Sequence, residues 1–162
     1  RVALDKPVGV ELINIETTND MLKAVLKHYD DADAVIKAAA PCDYKPMEIS
    51  EKKIKKTSDD LTLNLTRTED IAKTLGQCKK NQKLIIFASE TNDLEINAKE
   101  KCKRKNADMV VANDVTQQGA GFGADTNIVS LILSNGEVIK HEKMTKYQVA
   151  NKILDQLKNM FI

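Results

Sequence analysis

An α/β fold, with a doubly wound and mostly parallel sheet carrying an antiparallel C-terminal hairpin, is what this 162-residue sequence predicts. Three observations predict it. Apolar runs at 34–40, 84–88 and 109–112 have the length and composition of strands covered on both faces. Segments with helical spacing separate the later runs, and strands alternating with helices build a parallel sheet. After the third run, Asn135-Gly136 links Ile128–Leu133 to Val138–His141, and Asn-Gly is a strong two-residue hairpin turn.

Taken in order, Val10 to Ile15 reads as a strand. Thr17 or Thr18 caps a helix through about His28, with Met21, Leu22, Val25 and Leu26 on its apolar face. Ala34 to Ala40 is the first buried strand. A polar, lysine-bearing segment with Pro41 and Pro46 runs to Asp60, too long for a minimal connection. Leu61, Leu63 and Leu65 alternate with polar residues as in a half-exposed strand. Thr68-Glu69-Asp70-Ile71 opens a helix with a hydroxyl at the cap and two acids in the first turn, and Gly76 is placed to stop it. Leu84 to Ala88 is a strand, Asp93 to Lys105 a lysine-rich helix with Leu94, Ala98 and Cys102 at helical spacing, and Met109 to Ala112 the next strand. The last helix, about Thr145 to Met160, buries Val149, Ile153, Leu157 and Phe161.

Composition narrows the function. The length suits one domain with one core. Lys+Arg 25 against Asp+Glu 24 gives no global attraction for polyanions, and with no Trp and 4% aromatics there is no stacking platform, so nucleic acid is not an expected partner. Cys42, Cys78 and Cys102 form neither a disulfide framework nor a CxxC metal pair, which points to a reducing, cytoplasmic setting. No apolar run reaches the roughly 18 residues of a membrane span. Arg1 in place of Met leads us to expect a fragment of a longer chain.

The stretch Ala112 to Asn127 carries the most functional information. Sixteen residues rich in Gly, Asn, Asp and Thr lie between two strands, and Gly119, Gly121 and Gly123 permit close approach of backbone to a ligand. Open α/β sheets bind ligands in such loops at strand carboxyl ends. A plain surface loop is the alternative. Lys52, Lys53, Lys55 and Lys56 put four charges in five residues, after a buried strand. They are either a solvated run or a triphosphate cradle, since a phosphate would relieve their mutual repulsion. Lys101 and Lys105, four residues apart, share a helix face; they complement the helix dipole or bind phosphate. Asp43 is a ribose or magnesium ligand, or a turn former. Cys42, next to that acid, is a poor nucleophile. His28 and His141 join no triad, and neither GxxxxGK[ST] nor GxGxxG occurs.

In this order, Ala38-Ala39-Ala40 with Asp43-Tyr44-Lys45-Pro46, the lysine run 52–56, Phe87-Ala88-Ser89-Glu90-Thr91, Lys101 to Asn106 and Ala112 to Asn127 resemble the phosphopantothenoylcysteine synthetase family. The resemblance covers nearly the whole chain. It implies a Rossmann-like fold, a homodimer, CTP as co-substrate, Mg²⁺, and a fused or associated flavin-dependent decarboxylase. In such a ligase the carboxylate of 4′-phosphopantothenate attacks the α-phosphorus of CTP, releasing pyrophosphate. The amine of cysteine then attacks the acyl-cytidylate, releasing CMP.

Carried over by position, Lys53 and Asn113 are the catalytic residues that the resemblance implies. The nucleotide-binding set is Asp43, Lys53, Glu69, Asp70, Ile71, Ala72, Phe87, Lys101 and Lys105. The resemblance assigns no metal ligand. Pro41-Cys42, Ile86 and Ser89 depart from the family pattern. Its N-terminal strand, glycine-rich turn and Ser-Asn…Ser-Ser-Gly segment have no counterpart here, so the 1–162 ligase domain is expected to lack them and to be inactive alone. Two other functions remain open from sequence: a non-catalytic nucleotide-binding module, and a fragment of an NAD(P)-dependent oxidoreductase.

Overall fold

In chain order the elements are α1 (Thr18–Tyr29), β1 (Ala34–Lys37), β2 (Tyr44–Pro46), β3 (Leu65–Arg67), α2 (Ile71–Cys78), β4 (Lys83–Glu90), α3 (Leu94–Arg104), β5 (Met109–Asp114), β6 (Thr126–Asn127), β7 (Val129–Leu133), β8 (Val138–Lys140), β9 (Met144–Thr145) and α4 (Lys146–Asn159). This computed structural model describes residues 4–56, 60–90, 92–114 and 123–162. The chain divides into two compact units, 1–30 with 41–69 and 31–40 with 70–162.

The second unit holds the five-stranded sheet, ordered β1-β4-β5-β7-β8. β1, β4 and β5 pair in parallel, while β7 is antiparallel to both β5 and β8. Four of the five strands therefore run the same way, as an α/β sheet with one added hairpin requires. Alternation sorts side chains to two faces. Ile85, Met109, Val111, Val129, Leu131 and Leu133 form one core cluster with Val149 and Ile153 of α4. Leu84, Val110 and Ile132 point the other way and are fully buried, as are Leu75 of α2 and Ala98 of α3. Helices thus cover both faces, and the doubly wound class is observed.

Capping explains where the helices begin. Thr17 and Thr145 each build a reciprocal capping box, with Asp20 and Gln148 respectively. α3 ends in a Schellman turn: Ala107 N–H donates to the Cys102 carbonyl (3.0 Å), Asn106 N–H to Lys103 (3.1 Å), and Asn106 sits at φ 50°.

Several expectations are corrected. Val10 to Ile15 is not a strand; Val10, Leu12, Ile13 and Ile15 are exposed, and no described strand offers it a ladder. The strand predicted at 34–40 is shorter and is not covered on both faces, because β1 is an edge strand paired only with β4, and Ile36 is 40% exposed. The alternating leucines 61 to 65 are mostly outside β3, which takes up only Leu65 and pairs with β2 inside the segment read as a loop. Thr68 does not cap α2. Its hydroxyl donates to the Cys42 carbonyl, and the cap is Asp70, whose carboxylate accepts from Lys73 N–H at 3.0 Å. Gly76 does not stop α2 but lies inside it, where a Cβ would meet the Lys105 carbonyl oxygen at 1.9 Å. Phe161 is about half exposed, its ring 5.9 Å from the Lys83 ammonium, because α4 ends before it. No helix of the described residues is long and apolar enough to cross a membrane.

Candidate functional site at the carboxyl edge of the sheet

Parallel strands β4 and β5 end side by side, with Ser89 opposite Asn113 and Glu90 opposite Asp114. Alternation then divides the neighbouring side chains between the faces. Phe87, Ser89 and Asn113 lie on the α4 face. Phe87 is half-buried against the core cluster, and buried Asn113 accepts a hydrogen bond from the Ser89 hydroxyl at 3.1 Å.

Glu90 lies on the opposite face, under α3. Its Oε1 accepts from Lys101 Nζ at 3.2 Å and its Oε2 faces Asn97 Nδ2 at 3.5 Å. One turn further along α3, Lys105 Nζ pairs with the carboxylate of Asp70. Burial raises the Asp70 carboxyl, but the Lys105 ammonium and the Lys73 amide more than offset it and hold it below the usual carboxylate value. Ile71 and Ala72 are buried side chains in the first turn of α2. What they can offer an anion is backbone N–H, since first-turn amides have no intrahelical acceptor.

The second unit therefore brings together Asp70, Ile71, Ala72 and Lys105, and places Lys101 against Glu90. Phe87 and Asn113 sit across the sheet from the two lysines. Asp43, Lys53 and Glu69 belong to the first unit. Asp43 is exposed beside β2 and its carbonyl accepts from Thr68 N–H at 2.9 Å. Lys53 is exposed, outside any helix or strand, as are its lysine neighbours. Of the glycine loop, residues 115–122 lie outside the described residues, Gly119 and Gly121 among them; Gly123 is at φ 79°. Cys42, Cys78 and Cys102 are free thiols, and burial pushes buried Cys102 up, with Asp108 adding to it.

Among the described residues no three His, Cys, Asp or Glu side chains converge on a metal site. A divalent ion held by these residues would therefore have to take most of its ligands from bound phosphate or water. Glu90 has no role from sequence beyond its place in the 87–91 stretch, and Asn97 was not singled out. Their signal was there in part, because Asn97 precedes Lys101 by one helical turn and Glu90 closes an apolar strand.

Three comparisons bear on the arrangement. The chain is 46% identical over 157 residues to the coenzyme A biosynthesis bifunctional protein CoaBC of Bacillus subtilis, covering 96% of this chain but only 39% of that protein. The crystal structure of the C-terminal domain of a CoaBC protein matches at a TM-score of 0.81 and 44% identity, over 99% of this chain and 73% of that one. A Cab2 mutant H337A in complex with phosphopantothenate-cysteine shares the fold at a TM-score of 0.64 and 17% identity, over 89% of this chain and 52% of that one. The chain thus spans about two-fifths of the bifunctional relative. With residues 1–161 matched by its family model, it belongs to the DNA/pantothenate metabolism flavoprotein C-terminal domain family.

Proposed function

We propose that the chain is a ligase domain joining 4′-phosphopantothenate to cysteine in coenzyme A biosynthesis, with CTP as co-substrate and Mg²⁺ as the counter-ion of its triphosphate. The observation that carries this reading is the pair Lys101 and Lys105. Lys101 Nζ lies against Glu90 at the carboxyl edge of the sheet and Lys105 Nζ against Asp70 at the N-terminus of α2, cations and free backbone N–H groups of the kind a phosphate chain takes. Membership of the family, and relatives named for coenzyme A biosynthesis, support the substrates.

In this reading Lys101 and Lys105 hold the triphosphate, Lys105 exchanging the Asp70 carboxylate for phosphate oxygens. Asp43 is the carboxylate that would share Mg²⁺, which supplies charge neutralisation when bound. Lys53, on an exposed segment, meets the developing negative charge of the α-phosphorus and the departing pyrophosphate. Asn113, fixed by Ser89, orients the acyl group for attack by the cysteine amine. No protein nucleophile is needed. A homodimer, a fused or associated flavin-dependent decarboxylase, and a cytoplasmic setting complete the proposal.

The test follows pyrophosphate and amide product separately in the full-length protein. Lys53→Gln is expected to abolish amide formation while changing stability by less than about 0.5 kcal/mol, because an exposed loop lysine contributes little to the core. Near-normal turnover of that variant would sink the assignment.

A further inference from the structure

We infer that Glu90 is a positioning residue, which holds the ammonium of Lys101 at the carboxyl edge of the sheet and is itself steadied by Asn97. The inference rests on the proposed role of Lys101 in binding nucleotide.

A lysine ammonium on a four-carbon stem is mobile, and fixing it costs rotamer entropy that a phosphate would otherwise have to offset. Here the stem is held before any ligand arrives. Glu90 is the last residue of β4, so its backbone is fixed by the ladder to β5. Its two oxygens divide their work, one toward Lys101 Nζ (3.2 Å) and the other toward Asn97 Nδ2 (3.5 Å). Asn97 and Lys101 are one turn apart on α3, so acid, amide and ammonium form a three-membered clamp between strand end and helix. Asn97 also donates to the Asn92 carbonyl at 3.0 Å, tying the clamp to the turn in which Asp93 adopts φ 46°. The carboxylate is only 17% exposed and the ammonium 27%, so the pair is partly sheltered from solvent.

The geometry admits two opposite roles for an acid at this place. As a positioning group, Glu90 pre-organises Lys101, and its loss weakens binding. As a mere counter-charge, it damps the attraction of the lysine for phosphate, and its loss tightens binding. The three-point clamp favours the first.

Calorimetric titration of the full-length protein with CTP and Mg²⁺, and with pyrophosphate alone, separates them. Lys101→Ala is expected to weaken CTP binding about tenfold, the loss of one charge-assisted hydrogen bond. Glu90→Ala should weaken it several-fold, Glu90→Gln should recover most of that loss because its amide oxygen still accepts from Lys101, and Glu90→Ala should add nothing in the Lys101→Ala background. Tighter binding by Glu90→Ala, or equal weakening with and without Lys101, would overturn the inference. Unchanged binding by Lys101→Ala would instead overturn the nucleotide reading on which it stands.

Discussion

Asp70 carries two jobs that can be separated by a single atom. Its carboxylate caps α2 through Lys73 N–H and also pairs with Lys105. Asn caps helices as well as Asp does, so Asp70→Asn keeps the cap and removes the charge. The folded-state value of this carboxyl lies below its unfolded value, against the upward push of burial. The pair therefore contributes stability above about pH 4, where the unfolded carboxyl is ionised, and loses it as pH falls through the lower folded value. Because the side chain is 47% exposed, solvent screening limits the contribution to less than about 1 kcal/mol. Urea unfolding at pH 7 and pH 3 should show wild type more stable than Asp70→Asn at the higher pH, and the gap narrowed at the lower. A gap of the same size at both would mean that the charge pair does not matter.

At the scale of elements, the packing of α2 on the end of α3 is the most exacting contact. Gly76 faces the Lys105 carbonyl, and the Asn106 amide donates to the Gly76 carbonyl at 2.9 Å. Helix propensity alone makes Gly76→Ala stabilising by about 1 kcal/mol. The added Cβ would instead meet backbone at 1.9 Å, and backbone gives way only by moving the Schellman turn that carries Lys105. Thermal unfolding should therefore show a loss of about 1–3 kcal/mol, as overpacking typically costs. A raised melting temperature would show that α3 shifts freely. This contact also marks the boundary of what sequence conveys. Apolar runs placed β4, β5 and the β7–β8 hairpin, because a strand buried on both faces writes its environment into consecutive residues. A capping residue placed α1, and apolar spacing placed α4, for the same local reason. Gly76 was misread because a helix-stopping glycine and a close-packing glycine differ only in what lies across from them. Val10 to Ile15 was misread because an apolar-rich run shows that a segment could pair, not that a partner exists. At the site, Lys101 and Lys105 were legible as a helical pair, whereas Glu90 required the β4–β5 register to bring it beneath α3.

The two units of the molecule differ in how they use apolar residues. The sheet unit buries the large aliphatic side chains of β4, β5 and β7 in two layers. The unit of 1–30 and 41–69 has Tyr29 as its buried hydrophobic among the described residues, while Val8, Leu12, Met47, Ile49, Leu61 and Leu63 each expose more than half of their surface. Just under sixty residues with so little core are marginal alone, and apolar surface on that scale marks an interface. The homodimer proposed above would bury it through β2, β3 and the leucines beside them. Sedimentation equilibrium of the protein should accordingly give a dimer at micromolar concentration. Replacing Leu61 and Leu63 together by Ser should shift it toward monomer without lowering the melting temperature of the sheet unit, whose core includes neither residue. A monomer at every concentration, or a dimer indifferent to the double substitution, would direct the search for a partner away from a second copy of this chain.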